Sequence, residues 1–332
     1  MLQGAGLAMM RVFVYEHLSG GGADDGCDEL RSAGREMRDA VVLDLLRTGD
    51  CEVTAAAGLQ APHVPAGAFA RRPPAGLCGA EFVAEFVARQ ARAHDLVWVI
   101  APETSGLLAQ LRRVVDAERW LGCDAAAIEL TTSKRATLER AAEHGLTTPL
   151  AFTMSPATRR WVVKPDDGAG AVATRMHNTH AAARDDVETR RRRGEAAVLE
   201  AWVAGEPLSL SLLCSAQQVE LLSVNRQQLA IDAFGVLSFS GVQVAAISHD
   251  EAREDPRIGS LRAWARALVR AVPGLRGYVG VDLVWHAQRG PVLIEINPRV
   301  TMSYVGLSAA LGRNVAAAVL AAHHREAVHA DA

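Results

Sequence analysis

A chain of 332 residues that is 49% apolar and 22% charged is long and apolar enough for two or three compact units with a sizeable core, which excludes disordered and fibrous classes. Its net charge of −3 supplies no general attraction to nucleic acid or to an anionic membrane, so neither is expected as a partner. Five widely spaced cysteines (Cys27, Cys51, Cys78, Cys123 and Cys214) with no C-x-x-C pair indicate neither a disulfide framework nor a zinc site, and suit reduced thiols in a cytoplasm.

The leader "MLQGAGLAMM" has no basic n-region and no long apolar core, so it reads as an upstream start with the fold beginning at Met10. No apolar run approaches the roughly 18 residues of a membrane span. "RVFVYE" (Arg11–Glu16) is a short apolar strand followed by the loop "HLSGGGADDG". From Asp28 to Thr48, apolar residues at Leu30, Ala33, Met37, Val41 and Leu45 follow helical spacing, with Gly49 placed as a C-cap. "CEVTA" is a second strand. Strand, glycine-rich loop, helix and strand form the βαβ pattern of a parallel sheet, which binds ligands near the carboxyl ends of its strands. Residues 58–79 are Pro- and Ala-rich and give little. "DLVWVIAPE" (Asp95–Glu103) is a buried strand leading into a helix from Thr104 to Trp120.

A second unit starts near Ile128. "TTSKRATLERAAEHGLTTP" predicts a helix capped by Thr132 or Ser133, stopped by Gly145, with Pro149 just beyond. "RWVVKPDDGAGAVATR" is a strand that runs into a glycine loop. "ARDDVETRRRRGEA" (residues 183–196) is charge-rich without an apolar face and reads as a solvated loop. "AAVLEAWVAGEPLSLSLLCS" is a strand, a bend and an alternating strand. "VELLSVNRQQLAI" and "FSGVQVAAIS" continue the β pattern, and Glu251–Val272 is helical. The last helix is expected from Tyr304 to Ala322, with "HHREAVHADA" as a frayed tail.

Between these last helices lie "GYVGVDLVW" and "PVLIEINPR", separated by "HAQRG", a hairpin-loop signal. A loop centred near Gln288 and Arg289 puts Asp282 opposite Glu295. Alternation groups Leu293, Glu295 and Asn297 on one face and Val292, Ile294 and Ile296 on the other. Facing carboxylates repel. Mg²⁺, held by one or two carboxylates plus substrate phosphates, removes that cost. The other reading is a strand end with solvated acids.

Lys164 ends a buried strand ahead of Gly168 and Gly170, whose backbone N–H groups would nest phosphate oxygens. Lys134 sits in the first turn of its helix, where positive charge opposes the dipole and a bound anion would relieve it. Either lysine taken alone reads more readily as a surface cation. Residues 168–173 match the dinucleotide fingerprint G-x-G-x-x-[GA], but no apolar helical face follows, as that motif requires. No P-loop occurs. "VLEAWVAGE" supplies Glu200, Trp202, Val203 and Glu206 where a strand edge and carboxylates suit an adenine, or a plain β-bend.

In this order the residues resemble the ATP-grasp superfamily: a lysine before a helix ending "G…TP", a second lysine in "VVKP" before a glycine loop, an "E-x-x-x-x-G-E" hinge and a closing D…E-x-N. The resemblance implies an α/β (α+β overall) ATP-grasp fold. It has a Rossmann-like N-terminal domain at 10–120, a central lid at 121–205 and a C-terminal antiparallel-sheet domain at 206–325. It further implies ATP phosphates on Lys134 and Lys164 under the Gly168–Gly170 loop. Adenine falls at Glu200, Trp202 and Val203, the ribose at Glu206, and Mg²⁺ or Mn²⁺ at Asp282, Glu295 and Asn297. Within the superfamily, "VFVYEHLSGGG", "VNRQQL" and "EINPRVTMSYVGL" look like the tyramine–L-glutamate ligase group of methanofuran biosynthesis, with His17 standing where an aromatic is expected.

The activity implied is ligation of an amino acid to an amine through an acyl phosphate. Arg299 and Lys164 are the expected catalytic cations. Ser19, Gly20, Gly21, Arg226, Thr301, Ser303 and Tyr304 are the expected substrate contacts, although Tyr304 reads equally as core. A different ATP-grasp ligase and a non-catalytic nucleotide-binding module stay open, as does the oligomeric state, with a homodimer among the options.

Overall fold

The computed structural model describes residues 9–22, 28–74, 79–168, 170–216, 218–247 and 255–330. Cys27, Cys78, most of the N-terminal leader and the start of the helix expected from Glu251 lie outside them. The chain begins with β1 (Met10–Glu16), α1 (Asp28–Leu46), β2 (Cys51–Ala56), β3 (Phe69–Arg71), α2 (Ala80–Ala93), β4 (Leu96–Ile100) and α3 (Leu107–Arg113). The four strands form a parallel sheet in the order β3-β2-β1-β4. β1 is a continuous apolar run because both of its faces are covered, as parallel sheets require. Val12 and Val14 pack with Val41, Val42 and Leu45 of α1. Phe13 and Tyr15 pack with Phe86 and Val87 of α2.

Next come α4 (Ala125–Thr132) and α5 (Lys134–Glu143), whose Ile128, Leu138 and Ala141 join the main core. A separate layer follows: β5 (Trp161–Pro165), β6 (Arg175–His177), α6 (His180–Arg192) and β7 (Ala197–Ala201). Its antiparallel sheet, ordered β6-β5-β7, has its own small core of Trp161, Val163, Ala183 and Ala201.

The remainder holds β8 (Glu206–Cys214), β9 (Val219–Ile231), β10 (Leu237–Ile247), α7 (Arg257–Ala271), β11 (Gly277–His286), β12 (Gly290–Asn297), α8 (Leu307–Leu311) and α9 (Val315–Ala330). These strands form an antiparallel sheet ordered β10-β9-β8-β11-β12. One continuous apolar cluster joins its inner residues, such as Leu210, Val281 and Ile296, to Leu108 and Phe86 of the N-terminal layers. Among the described residues no helix is long and apolar enough to cross a membrane.

Four sequence expectations are corrected. Residues 183–192 are helical rather than loop: Thr179 caps α6 by accepting from the Ala182 N–H, and Ala183 is buried on the small sheet. Val187 packs beside it, His180 lies against Trp161, and Asp186 is bonded to His177 and Arg190. The helix expected over Thr104–Trp120 is broken into single turns around α3, where Ser105 and Gly106 take left-handed φ. The last helix is split at Gly312 (φ 63°) into α8 and α9, and α9 continues through the supposed tail to Ala330. In β12 a bulge falls beside Ile294, so Leu293 pairs with Leu283 on the core side, together with Ile296, instead of sharing a face with Glu295.

Candidate active site

β11 and β12 bring the two acids together. Asp282 is directly opposite Glu295, and the bulge sets that register: the hairpin closes as His286 opposite Gly290, one residue short, and Ile294 supplies the extra step. Asn297 donates to Asp282 Oδ2 (3.3 Å) and Gln227 on β9 donates to Oδ1 (2.8 Å). Burial, and then the neighbouring Glu295, push the Asp282 carboxyl up to about 7. Burial also raises Glu295, while Lys134 and Lys164 pull it the other way.

Both lysines point at this strand pair. Lys134 Nζ lies 3.0 Å from Glu295 Oε1, with the side chains 4% and 12% exposed. The same ammonium donates to the Gly168 carbonyl of the glycine loop. Lys164 Nζ lies 3.0 Å from Glu200 Oε1 and 3.4 Å from the Ile294 carbonyl. The dipole conflict at Lys134 is met within the chain. Ser133 caps α5 by accepting from the Ala136 N–H, and Asp166, two residues past Lys164, accepts from the Arg135 N–H (2.9 Å) and from Ser133 Oγ (2.8 Å).

Around the hinge, Glu200 and Val203 are buried, and the Trp202 N–H donates to the Arg160 carbonyl. Gly205 has φ 157°, and a Cβ there would collide with the Trp285 carbonyl, so only glycine lets the chain pass. Glu206 is held by Arg226 (2.7 Å) and Arg257 (2.6 Å). These two arginines outweigh its desolvation and lower its pKa.

Arg299 is not an open fork. It makes a two-point pair with Glu103, at 3.0 Å for each bond, and also donates to the Val300 carbonyl. Burial alone would lower the Arg299 pKa, but Glu103 outweighs it and raises the value. Arg226 is engaged by Glu206 and Gln243. Ser303 bonds Ser209 (3.1 Å), and Thr301 bonds Tyr278 (3.2 Å). Tyr304 takes the core reading: it is 1% exposed and donates to Asp44 on α1 (3.1 Å). Ser19 is fully buried at the end of β1, where its N–H donates to Glu16. Gly20 and Gly21 line a cleft of about 110 Å³ with Tyr15, Pro73 and Phe82.

The structure thus brings Lys134, Lys164, Gly168, Glu200, Asp282, Glu295, Asn297 and Arg299 into one connected constellation, with Ser19 to Gly21 on the neighbouring sheet edge. Glu103, Gln227, Asp166 and Arg257 escaped the sequence reading. A signal existed for Glu103, a lone acid after an apolar strand. Gln227 shares alternation with Asn225. Among the described residues no group of three or more His, Cys, Asp or Glu is placed to hold a metal. The available set is two facing carboxylates plus one carboxamide, all hard oxygen donors, and this suits a Mg²⁺ ion that takes its other ligands from phosphates and water.

Comparison with known proteins bears on the family and the fold. Residues 131–303 match the ATP-grasp domain, and residues 59–128 match the pre ATP-grasp 3 domain. The tyramine–L-glutamate ligase of Methanocaldococcus jannaschii is 29% identical over 215 residues, 64% of this chain and 58% of that protein. Its counterpart from Methanocaldococcus fervens is 29% identical over 61% of its length. The chain therefore matches less than two thirds of either relative. Among solved structures, an ATP-grasp superfamily protein from Archaeoglobus fulgidus superposes with TM-score 0.67 at 22% identity, over 94% of this chain and 88% of that one. The L-amino acid ligase of Bacillus licheniformis gives TM-score 0.65 at 17% identity, over 95% and 74%. These structures share the fold, and with more than half of its length matched to the domain the chain belongs to the ATP-grasp family.

Proposed function

We propose that the chain is an ATP-dependent carboxylate–amine ligase that joins L-glutamate to tyramine, supplying a methanofuran-type one-carbon carrier in the cytoplasm. The observation that carries the ligase reading is Asp282 facing Glu295 across β11 and β12, with Lys134 and Lys164 converging on the same strand pair. The substrates are taken from the tyramine–L-glutamate ligases to which the chain is similar. The three described cysteines are buried free thiols, as a reducing compartment favours.

In this reading a carboxylate oxygen of glutamate attacks the γ-phosphorus of ATP. The bond to the bridging oxygen breaks, and ADP leaves. The amine nitrogen then attacks the acyl carbon, phosphate departs with the bonding pair, and nitrogen loses its proton. The protein's work is alignment and charge stabilisation rather than covalent chemistry. Lys134 and Lys164 bind phosphate oxygens, and Gly168 and Gly170 let the loop close over them. Glu200, Trp202 and Val203 hold the adenine, and Glu206 the ribose. Asp282, Glu295 and Asn297 would hold Mg²⁺ or Mn²⁺, which neutralises phosphate charge when bound. Arg299, fixed by Glu103, contributes its charge near the phosphoryl group rather than a free fork. Ser19 to Gly21, Arg226, Thr301 and Ser303 border the substrates.

The test is phosphate release on incubation with ATP, Mg²⁺, glutamate and a panel of amines. Release that requires glutamate and tyramine together supports the proposal. Release with another acid–amine pair selects a different ligase. Nucleotide binding without release under any pair identifies a non-catalytic module.

A further inference from the structure

Two groups that the proposed chemistry assigns to different partners are bonded to each other. Glu295 is one of the two acids that would hold the cation, and Lys134 is one of the two ammonium groups that would hold phosphate. They are 3.0 Å apart and nearly enclosed. An ion pair this buried is costly to break on one side only, because the group left behind is a desolvated charge without a partner. A divalent cation that arrives alone must take Glu295 from Lys134 and strand the ammonium. A nucleotide that arrives alone must take Lys134 from Glu295 and strand the carboxylate. Only simultaneous arrival leaves every charge matched: metal on Glu295, phosphate on Lys134.

The geometry points to Lys134 as a resident substitute for the cation. It occupies Glu295 until metal and nucleotide come together, and it makes the uptake of the two interdependent. The inference rests on the nucleotide-and-metal reading given above. The pair also has a mechanical consequence. Lys134 is bonded to the Gly168 carbonyl as well as to Glu295, and therefore pins the glycine loop to β12. Lys164 makes a parallel tie from β5 to the Ile294 carbonyl, but its acidic partner is Glu200, which lies outside the proposed cation set. Transfer of Lys134 to a phosphate releases the loop at the moment the nucleotide enters beneath it. The two lysines thus differ in role: Lys134 exchanges partners with the cation, and Lys164 does not.

Calorimetric titration tests this on the full-length protein, without reference to turnover. Mg²⁺ is titrated with no nucleotide, and ADP is titrated in EDTA. Each titration is made on the wild type, Lys134→Met, Lys164→Met and Glu295→Gln, with thermal melting to confirm that each variant is folded. Removing Lys134 frees Glu295, so Lys134→Met should bind Mg²⁺ alone about tenfold or more tightly than the wild type, whereas Lys164→Met, which acts on Glu295 through charge without a hydrogen bond, should produce a clearly smaller gain. Removing the charge of Glu295 frees Lys134, so Glu295→Gln should bind ADP in EDTA more tightly than the wild type. Free-metal affinity in Lys134→Met that equals or falls below the wild-type value overturns the exchange, as does an equal gain in Lys164→Met. A wild type that binds no ADP even with Mg²⁺ present refutes the parent reading instead, so the two failures are distinct.

Discussion

Arg299 and Glu103 are joined at two points, 196 residues apart in sequence, with their side chains 10% and 4% exposed. Glu103 follows β4 at the carboxyl edge of the parallel sheet, and Arg299 follows β12, so this pair ties the first layer to the strand of the candidate site. Removing one member of a buried pair leaves an uncompensated charge, at a cost of about 3–5 kcal/mol. Glu103→Met should lower the urea midpoint accordingly. Glu103→Met combined with Arg299→Met should recover much of the loss. A single variant as stable as the wild type would show that the pair does not bind the layers together.

Asp282→Asn and Glu295→Gln separate folding from chemistry. Both carboxylates are largely enclosed and face each other, an arrangement that destabilises the metal-free fold. Neutralising Asp282 should therefore leave the melting temperature equal or higher, even as ligase turnover falls about a thousandfold or more, the order expected when several kcal/mol of charge stabilisation are lost. For Glu295→Gln the melting temperature should fall, because Lys134 loses its partner, while turnover is lost to a similar degree. Melting curves and phosphate-release rates measured side by side check both claims. Near-normal turnover in the two variants would sink the metal assignment.

Much of this arrangement was legible in residue order, and the parts that were not have identifiable causes. The Asp282–Glu295 pairing matches a loop centred near Gln288 and Arg289, but the hairpin closes one residue short and the bulge restores the pairing. That path was not legible, since the bulge at Ile294 has no glycine or proline to announce it and shifts Leu293 to the core face. α6 has a short apolar stripe, Ala183 and Val187, too little for periodicity to mark it as a helix. Thr179, Asp186 and Arg190 supply the contacts that periodicity cannot reveal. β3 lies in a stretch of prolines and alanines whose weak local pattern is overridden by pairing with β2, whereas α2 carries a helical face at Val83, Phe86, Val87 and Gln90 that is legible in the sequence. The engagement of Arg299 by Glu103 is a tertiary event between distant segments. No local pattern could reserve that guanidinium.

His17 gives a pH signature. It stands after β1 with Nδ1 3.3 Å from the Tyr15 hydroxyl, and burial lowers its pKa from 6.5 to about 4. A histidine kept neutral in the folded state binds fewer protons than the unfolded chain between those two values. Stability contributed by this residue is therefore fully present above about pH 6.5 and is lost as pH falls towards 4. The loss amounts to roughly 1–3 kcal/mol. His17→Phe, which removes the titrating group, should flatten that part of the stability profile, as measured by urea unfolding between pH 4 and pH 7. An unchanged slope would mean that other groups dominate the acid response.

Ser133 is a small residue whose removal should reach the lysine beside it. Its Oγ accepts from the Ala136 N–H at 3.1 Å and donates to Asp166 Oδ2 at 2.8 Å, and Asp166 in turn accepts from the Arg135 N–H. One hydroxyl therefore caps α5 and joins it to the segment that follows Lys164. Ser133→Ala loses a cap worth about 1 kcal/mol and unties that connection. Because Lys134 is the first residue of α5, fraying of this turn disperses its ammonium before any nucleotide is present. The Michaelis constant for ATP should rise several-fold, with kcat changed much less, since the lysine remains available once phosphate has drawn it into place. Ser133→Thr keeps the hydroxyl and should restore both stability and the Michaelis constant. A Ser133→Ala enzyme with lowered kcat and an unaltered Michaelis constant would place the residue's influence on the transition state instead.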